Sequence, residues 1–166
     1  MIAIDILLDG AFAALAGIGF MSISNPPRMA YPAVAVLAAV GHSIRYVLMN
    51  IGGMSISLAC LFAALSIGFL SIPAARIVRC PAETFSFPSL LPMIPGMYAY
   101  RTVQAIVNCL QTSEESEFMH WLYMLAYNGL TAICAIMLMV IGVTLPIFMF
   151  KKYSFDVTRE VKPKGV

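Results

Sequence analysis

The chain alternates long apolar stretches with short breaks that are polar or rich in proline. At about 1.5 Å per residue, each stretch is long enough to cross about 30 Å of hydrocarbon as a helix. The period-2 alternation of membrane barrel strands is absent. We therefore predict an all-α integral membrane protein with about five transmembrane helices. The predicted spans are about 4–23, 33–50, 54–72, 84–110 and 118–150, within a single transmembrane domain 1–152 that a polar cytoplasmic tail follows at 153–166.

The amino-acid composition supports a bilayer environment and argues against several functions. Of the 166 residues, 61% are hydrophobic and only 11% are charged, whereas soluble domains carry about 25% charged residues. No basic stripe interleaved with aromatic residues indicates nucleic acid, and no GxSxG, HExxH or P-loop motif indicates an enzyme. The four cysteines lie far apart, which favours packing roles over a zinc site or a disulfide framework. We expect no cofactor and no metal.

The basic residues outside the spans predict the orientation of the chain. They follow only the first, third and fifth predicted spans, and the loop after the fourth carries QTSEESE instead. With five spans, all of them fall on one side, and the positive-inside rule places the N-terminus outside and the C-terminus in the cytoplasm. A four-span arrangement would instead place these basic residues on both sides of the membrane. The basic residues concerned are Arg28, Arg76, Arg79, Lys151 and Lys152.

The fourth predicted span contains its own helix breakers, in LLPMIPGMYAYR (90–101). Pro92 and Pro95 cannot donate backbone hydrogen bonds, so an unbroken helix would leave carbonyls unpaired in lipid. We predict a break at Pro92-Pro95-Gly96 and a second half-helix that begins at Pro95-Gly96. Its free N–H groups would carry partial positive charge near mid-membrane, where transporters hold anionic groups. Pro95 and Gly96 are therefore candidate substrate-binding residues; a simple proline kink is the alternative.

A polar stripe follows this break. Tyr98, Arg101, Gln104 and Asn108 fall within about a third of the circumference of the half-helix. The stripe either lines a substrate path, with Tyr100 beside it, or packs against a partner helix. The fifth predicted span adds Asn128 as a weaker candidate, because small polar residues in spans often only join helices.

Three further ionisable residues lie inside predicted spans, where each carries an energetic cost. His42 and Arg45 are three positions apart and share one helical face. Arg45 could bind a carboxylate while His42 carries a proton, since histidine changes charge near physiological pH. Alternatively, the two residues tie helices together, or Arg45 extends to the interface. Asp9 could pair with Arg45, join in proton coupling or only hold the fold.

Three segments together resemble the threonine/serine exporter family: NPPR (25–28), AAVGHSIRYVLM (38–49) and LPMIPGMYAYR (91–101). The match is to the short subunit that corresponds to the C-terminal half of the fused exporters, and it extends from about Leu7 to Lys152. GHxxR and PMxPGxxAY are its specific patterns. Asp9 and Asn128 fall where the family pattern has an acid and an asparagine. Arg101 departs from the pattern, which marks either a substrate difference or a local interaction.

The resemblance implies a function and a partner. It implies export across the bacterial cell inner membrane of threonine and serine or, as in some split members, of a C4-dicarboxylate such as succinate. It also implies a larger exporter-family subunit as partner. We predict a subunit of a secondary exporter driven by a cation gradient, in which Arg45 or Arg101 holds the carboxylate and His42 or Asp9 is the proton-linked group. A non-transporting assembly or stabilising subunit and a passive channel-like pore are the alternatives.

Overall fold

The computed structural model describes residues 2–24 and 26–150. Every regular element in these ranges is helical, which confirms the all-α prediction. The predicted tail 153–166, together with Lys151 and Lys152, lies outside the described residues. The elements are α1 (Ile2–Ser22), α2 (Ala30–Asn50), α3 (Ile56–Val78), α4 (Glu83–Leu90), a 3-10 turn (Leu91–Met93), α5 (Gly96–Gln111) and α6 (Glu115–Met149).

Four of these helices, α1, α2, α3 and α6, are long and apolar enough to cross a membrane. In place of the predicted fourth span, the structure has the eight residues of α4, the 3-10 turn and the 16 residues of α5. Neither helix alone has the roughly 20 residues that a span requires. The count of five spans stays a prediction.

The third helix shows that a proline does not end an apolar helix by itself. We expected this helix to end at Pro73, but α3 continues through Pro73 to Val78. The prediction was wrong because proline removes only one backbone donor, and neighbouring helices and hydroxyl groups compensate for such losses in membrane helices. α3 ends instead where Arg79 adopts a left-handed conformation, with φ 60°. α2 likewise begins at Ala30, because Pro32 fits the first helical turn.

Glycines allow α3 and α6 to pack closely along a seam. A Cβ atom added at Gly68 would lie 2.8 Å from the carbonyl oxygen of Val143, and one at Gly142 would lie 2.7 Å from that of Leu61. Real Cβ atoms do not approach backbone oxygens this closely, so both positions require glycine. Because lipid supplies no hydrophobic force between helices, such close backbone contact is what holds membrane helices together.

The two helices on either side of the 3-10 turn have different surroundings. α4 packs among α1, α2 and α3, and most of its side chains are buried, including Phe85 and Ser89. α5 packs along α6, and Ala105 is its one buried residue. The chain therefore leaves the interior of the helix bundle at the 3-10 turn and continues on the surface of α6.

Candidate functional site

Asp9, His42 and Arg45 meet beside the 3-10 turn. Nδ1 of His42 lies 3.0 Å from Oδ2 of Asp9 and 3.4 Å from Nη2 of Arg45. Nη1 of Arg45 donates a hydrogen bond to the carbonyl oxygen of Met93, also over 3.0 Å. We call these three side chains the central cluster. It joins α1, α2 and the interruption between α4 and α5.

The approach of α1 to α2 depends on small residues. A Cβ atom at Gly10 would lie 3.0 Å from Oγ of Ser43, and one at Gly17 would lie 3.0 Å from Cβ of Ala38. Because Gly10 directly follows Asp9 and Ser43 directly follows His42, this contact sets the acid and the imidazole side by side. Within the described residues, the ion-pair partner of Asp9 is thus His42 rather than Arg45.

The contacts of Nδ1 make the central cluster sensitive to one proton. A guanidinium only donates hydrogen bonds and an ionised carboxylate only accepts them. When Nδ1 is protonated, it donates to Asp9 and cannot accept from Arg45. When Nδ1 is unprotonated, it can accept from Arg45, and its bond to the ionised Asp9 is lost. The position of the imidazole proton therefore determines whether His42 binds Asp9 on α1 or Arg45 on its own helix, α2.

The second ring nitrogen of His42 is enclosed without a partner. His42 is only 6% exposed, and among the described residues no polar atom pairs with its Nε2. Buried polar atoms normally have partners, and an unpaired one is a feature of functional sites. The unpaired Nε2 is therefore the position at which the central cluster can accommodate a further hydrogen-bond partner.

Two members of this site were not found by sequence reasoning. The Met93 contact uses a backbone oxygen, which no residue pattern reveals. Cys60, fully buried on α3, lies beside the Arg45 guanidinium, although its position in an apolar run indicated only packing. The half-buried Arg45 therefore contacts His42 on α2 and Met93 in the 3-10 turn, with Cys60 of α3 nearby.

Arg101 and Asn128 lie in a different place, between α5 and α6. They line a cavity of about 280 Å³ that we call the α5–α6 cleft. None of the central cluster contributes to its lining. The cleft is lined by Arg101, Gln104, Trp121, Met124, Tyr127 and Asn128.

A larger cavity of about 580 Å³ lies next to the α5–α6 cleft, around the loop between the two helices. We call it the loop cavity. Trp121 lines both cavities, so the two adjoin at its indole ring. Its lining includes the polar residues Asn108, Glu117 and His120, and Oε2 of Glu117 accepts a hydrogen bond of 2.7 Å from Oγ1 of Thr112.

Comparison with known proteins identifies the family. A family model described as Threonine/Serine exporter, ThrE matches residues 9–149. The chain belongs to this exporter family. It is a multi-pass membrane protein of a transporter family, and the matched range includes the central cluster and both cavities. No solved structure matches the chain.

One curated relative shows how this exporter chain compares in length. It is an uncharacterized protein of Haemophilus influenzae, 36% identical over 104 residues. The match covers 63% of the chain and 35% of that protein. The chain therefore matches only about a third of the length of its relative.

The remaining predicted site residues of the exporter chain flank these sites. Pro95 is buried and precedes α5, and Gly96 is the first residue of that helix. Tyr98 is half-buried, and its carbonyl accepts a hydrogen bond from Thr102. Tyr100 is 64% exposed, and neither tyrosine lines the α5–α6 cleft. No group of His, Cys, Asp or Glu able to hold a metal ion occurs within residues 2–24 and 26–150.

Proposed function

We propose that this chain is the membrane subunit of a secondary exporter of small carboxylate-bearing metabolites, namely threonine and serine or a C4-dicarboxylate such as succinate. The observation that supports it most directly is the central cluster at the interruption between α4 and α5. An arginine, an acid and a histidine inside a membrane helix bundle carry an energetic cost, and such residues commonly bind a substrate or an ion. We assign substrate binding to the arginine and proton linkage to the acid and the histidine.

In this proposal Arg45 binds the substrate carboxylate. Its contact with Met93 is to a single neutral carbonyl, whereas a carboxylate offers two charged oxygens to the guanidinium fork and binds more strongly. Substrate can therefore displace the Met93 carbonyl. Pro95 directly precedes α5 and Gly96 begins it next to this point, and the dipole of that helix adds positive potential at its N-terminus. The two groups would converge on the same anion.

Asp9 and His42 supply the proton linkage. With Asp9 ionised, Arg45 charged and His42 neutral, the central cluster has no net charge, and one added proton makes it positive. A zwitterionic substrate that sets its ammonium group against Asp9 competes with the protonated imidazole for that carboxylate. Substrate and proton then occupy the cluster alternately, which export driven by an inward proton gradient requires.

The proposal includes a larger exporter-family subunit as partner. The match covers only 35% of the Haemophilus influenzae relative, so that protein carries further sequence in the same chain. A split exporter would carry the corresponding sequence in a second subunit. The proposed location is the bacterial inner membrane, with the N-terminus outside and the C-terminus in the cytoplasm, because Arg28 follows α1, Arg76 lies in the last turn of α3 and Arg79 directly follows that helix.

Transport by membrane vesicles tests the function. Vesicles that contain the chain with its larger partner should export threonine, serine or succinate against a gradient, and a protonophore should abolish the accumulation. Arg45→Ala should stop transport while the complex still forms, and Arg28→Ala, which removes the same charge from an exposed loop position, should transport normally.

Each alternative predicts a different result. If Arg45→Ala or His42→Ala dissociates the complex, the chain is an assembly or stabilising subunit. If downhill flux persists and no condition produces accumulation, the chain forms a passive pore. If both variants transport at the wild-type rate, the central cluster is not the substrate site.

A further inference from the structure

We infer that the α5–α6 cleft is a second carboxylate-binding site, separate from the central cluster. The inference rests on the proposed function for the identity of the cargo. It deepens that function because it assigns the binding residues to two separate sites. The cleft supplies a cation, a hydrogen-bond acceptor and apolar walls.

Arg101 provides the cation. In the part of the chain that the structure describes, its guanidinium has no hydrogen-bond or ion-pair partner. An arginine in a membrane protein normally pairs with an acid or faces a water-filled cavity. Arg101 lines such a cavity, and no acidic residue is among the residues that line it. The cleft therefore presents an uncompensated positive charge that suits an anion.

Asn128 provides the acceptor. Its side chain is almost fully buried, and Nδ2 donates a hydrogen bond of 2.7 Å to the carbonyl oxygen of Met124. Because a carbonyl oxygen can only accept, this bond fixes the orientation of the amide and turns Oδ1 the other way. Among the described residues, no group donates to Oδ1. A ligand with a donor group near its carboxylate, such as an ammonium or a hydroxyl, satisfies both residues.

The size and walls of the cleft favour a small ligand. Its volume of about 280 Å³ is just below the range of about 300–1,000 Å³ of pockets for drug-sized molecules. Trp121 and Met124 form apolar walls, and Gln104 and Tyr127 add polar groups. The cleft suits a metabolite with a few heavy atoms beyond its carboxylate.

The length of α6 explains how water reaches the cleft. Its 35 residues extend over about 52 Å at about 1.5 Å per residue. A hydrocarbon core of about 30 Å cannot enclose this length even at a tilt of about 40°. The end that carries Glu115 and Glu117 is the polar one, so this end extends beyond the hydrocarbon. Trp121 then lies near the interface, where tryptophan is enriched, and the loop cavity connects the cleft with water.

The sole tryptophan of the chain reports on this site directly. We would titrate the purified complex, with its partner made free of tryptophan, with threonine, succinate or acetate and record the Trp121 fluorescence. We expect a saturable change with threonine and none with threoninol, which lacks the carboxylate. Arg101→Gln should weaken binding at least tenfold, Arg101→Lys should retain part of it, and Arg28→Gln, the matched charge control, should bind like wild type.

The same titration on Arg45→Gln separates this inference from the proposed function. This variant should keep the fluorescence response while transport is lost, because the cleft does not contain Arg45. The inference is overturned if threoninol acts like threonine, or if Arg101→Gln binds with wild-type affinity. Wild-type transport without any fluorescence response overturns the second site alone. A carboxylate-specific response that depends on Arg101, in a complex that does not transport, supports the cleft as a binding site and overturns the proposed function.

Discussion

Nη1 of Arg45 donates a hydrogen bond to the carbonyl oxygen of Met93, and the two atoms lie 3.0 Å apart. This bond joins the C-terminal third of α2 to the 3-10 turn that separates α4 from α5. Since the same guanidinium also touches His42, the state of the imidazole and the geometry of the interruption are physically connected.

Arg45→Lys should slow export although it preserves the charge. A lysine ammonium is a single point on a flexible stem and cannot reproduce the fork that reaches His42 and Met93 together. Loss of a charged hydrogen bond costs about 1.5–3 kcal/mol, or roughly 10- to 150-fold in rate. The measurement is the initial rate of export per assembled complex. Arg28→Lys is the control, and a wild-type rate in Arg45→Lys would refute the role of the fork.

Asp9→Asn should uncouple the exporter from the proton gradient. The amide keeps an oxygen acceptor for His42 but loses the charge that stabilises the imidazolium. We expect gradient-driven export to fall at least tenfold while exchange of labelled for unlabelled substrate continues. Asp5→Asn is the matched control, since Asp5 is on the same helix and exposed. Retention of gradient-driven export in Asp9→Asn would contradict the assignment.

Substrate binding should change the pH of a weakly buffered solution, with a sign that depends on the substrate. The ammonium of threonine competes with the protonated His42 for Asp9, so threonine should release protons. Succinate has no ammonium group to compete for Asp9 and adds negative charge beside His42, so succinate should take protons up, a result that would exclude it as a cargo exported in exchange for protons. A pH indicator dye measures both effects, and His42→Gln should remove them. An unchanged signal in His42→Gln would exclude His42 as the proton-linked group.

Pro92→Ala combined with Pro95→Ala should impair export by restoring two backbone donors to the interruption. A continuous helix through this region would use the Met93 carbonyl internally and deprive Arg45 of its partner. Export should fall by an order of magnitude or more, with the amount of complex unchanged. Pro73→Ala is the control, because α3 is already helical through that position. Equal export by the double variant would show that the interruption is not required.

Gly68→Ala and Gly142→Ala should destabilise the protein, because each methyl group would lie within 3 Å of a carbonyl oxygen across the α3–α6 seam. Forced overpacking typically costs about 1–3 kcal/mol. Gly19→Ala is the matched control, since a Cβ atom there meets nothing within 4 Å and alanine favours the helix. Thermal loss of the monodisperse complex in detergent measures the effect. A wild-type melting temperature in both seam variants would refute the close packing.

The sequence was sufficient for the helical membrane class and for part of the central cluster. Helical spacing alone set His42 and Arg45 on one face, and the similar depth of Asp9 suggested a pairing. It could not determine which residue pairs with Asp9, because the contact of Gly10 with Ser43 decides which side chain faces the acid. That contact depends on how two helices rotate against each other, which periodicity does not specify.

The position of Arg101 shows a second limit. The sequence predicts that the polar residues of α5 share one face of the helix. It does not predict the helix against which that face packs. Since α5 packs on α6 after the interruption, Arg101 falls in the α5–α6 cleft and not beside Arg45. The extent of α3 beyond Pro73 has a similar cause, because tertiary packing compensates for a backbone donor that a local rule counts as lost.

Because α6 is long, a small rotation near one end of the helix displaces the other end by several ångströms. The helix is held against α3 near Gly142, whereas Trp121 lies about 30 Å farther along the same axis at about 1.5 Å per residue. A pivot of about 5° at the seam would displace the indole ring by roughly 3 Å over that lever arm. A small rotation at the seam can thus move the cleft, together with the α5 helix that packs on α6, relative to α3.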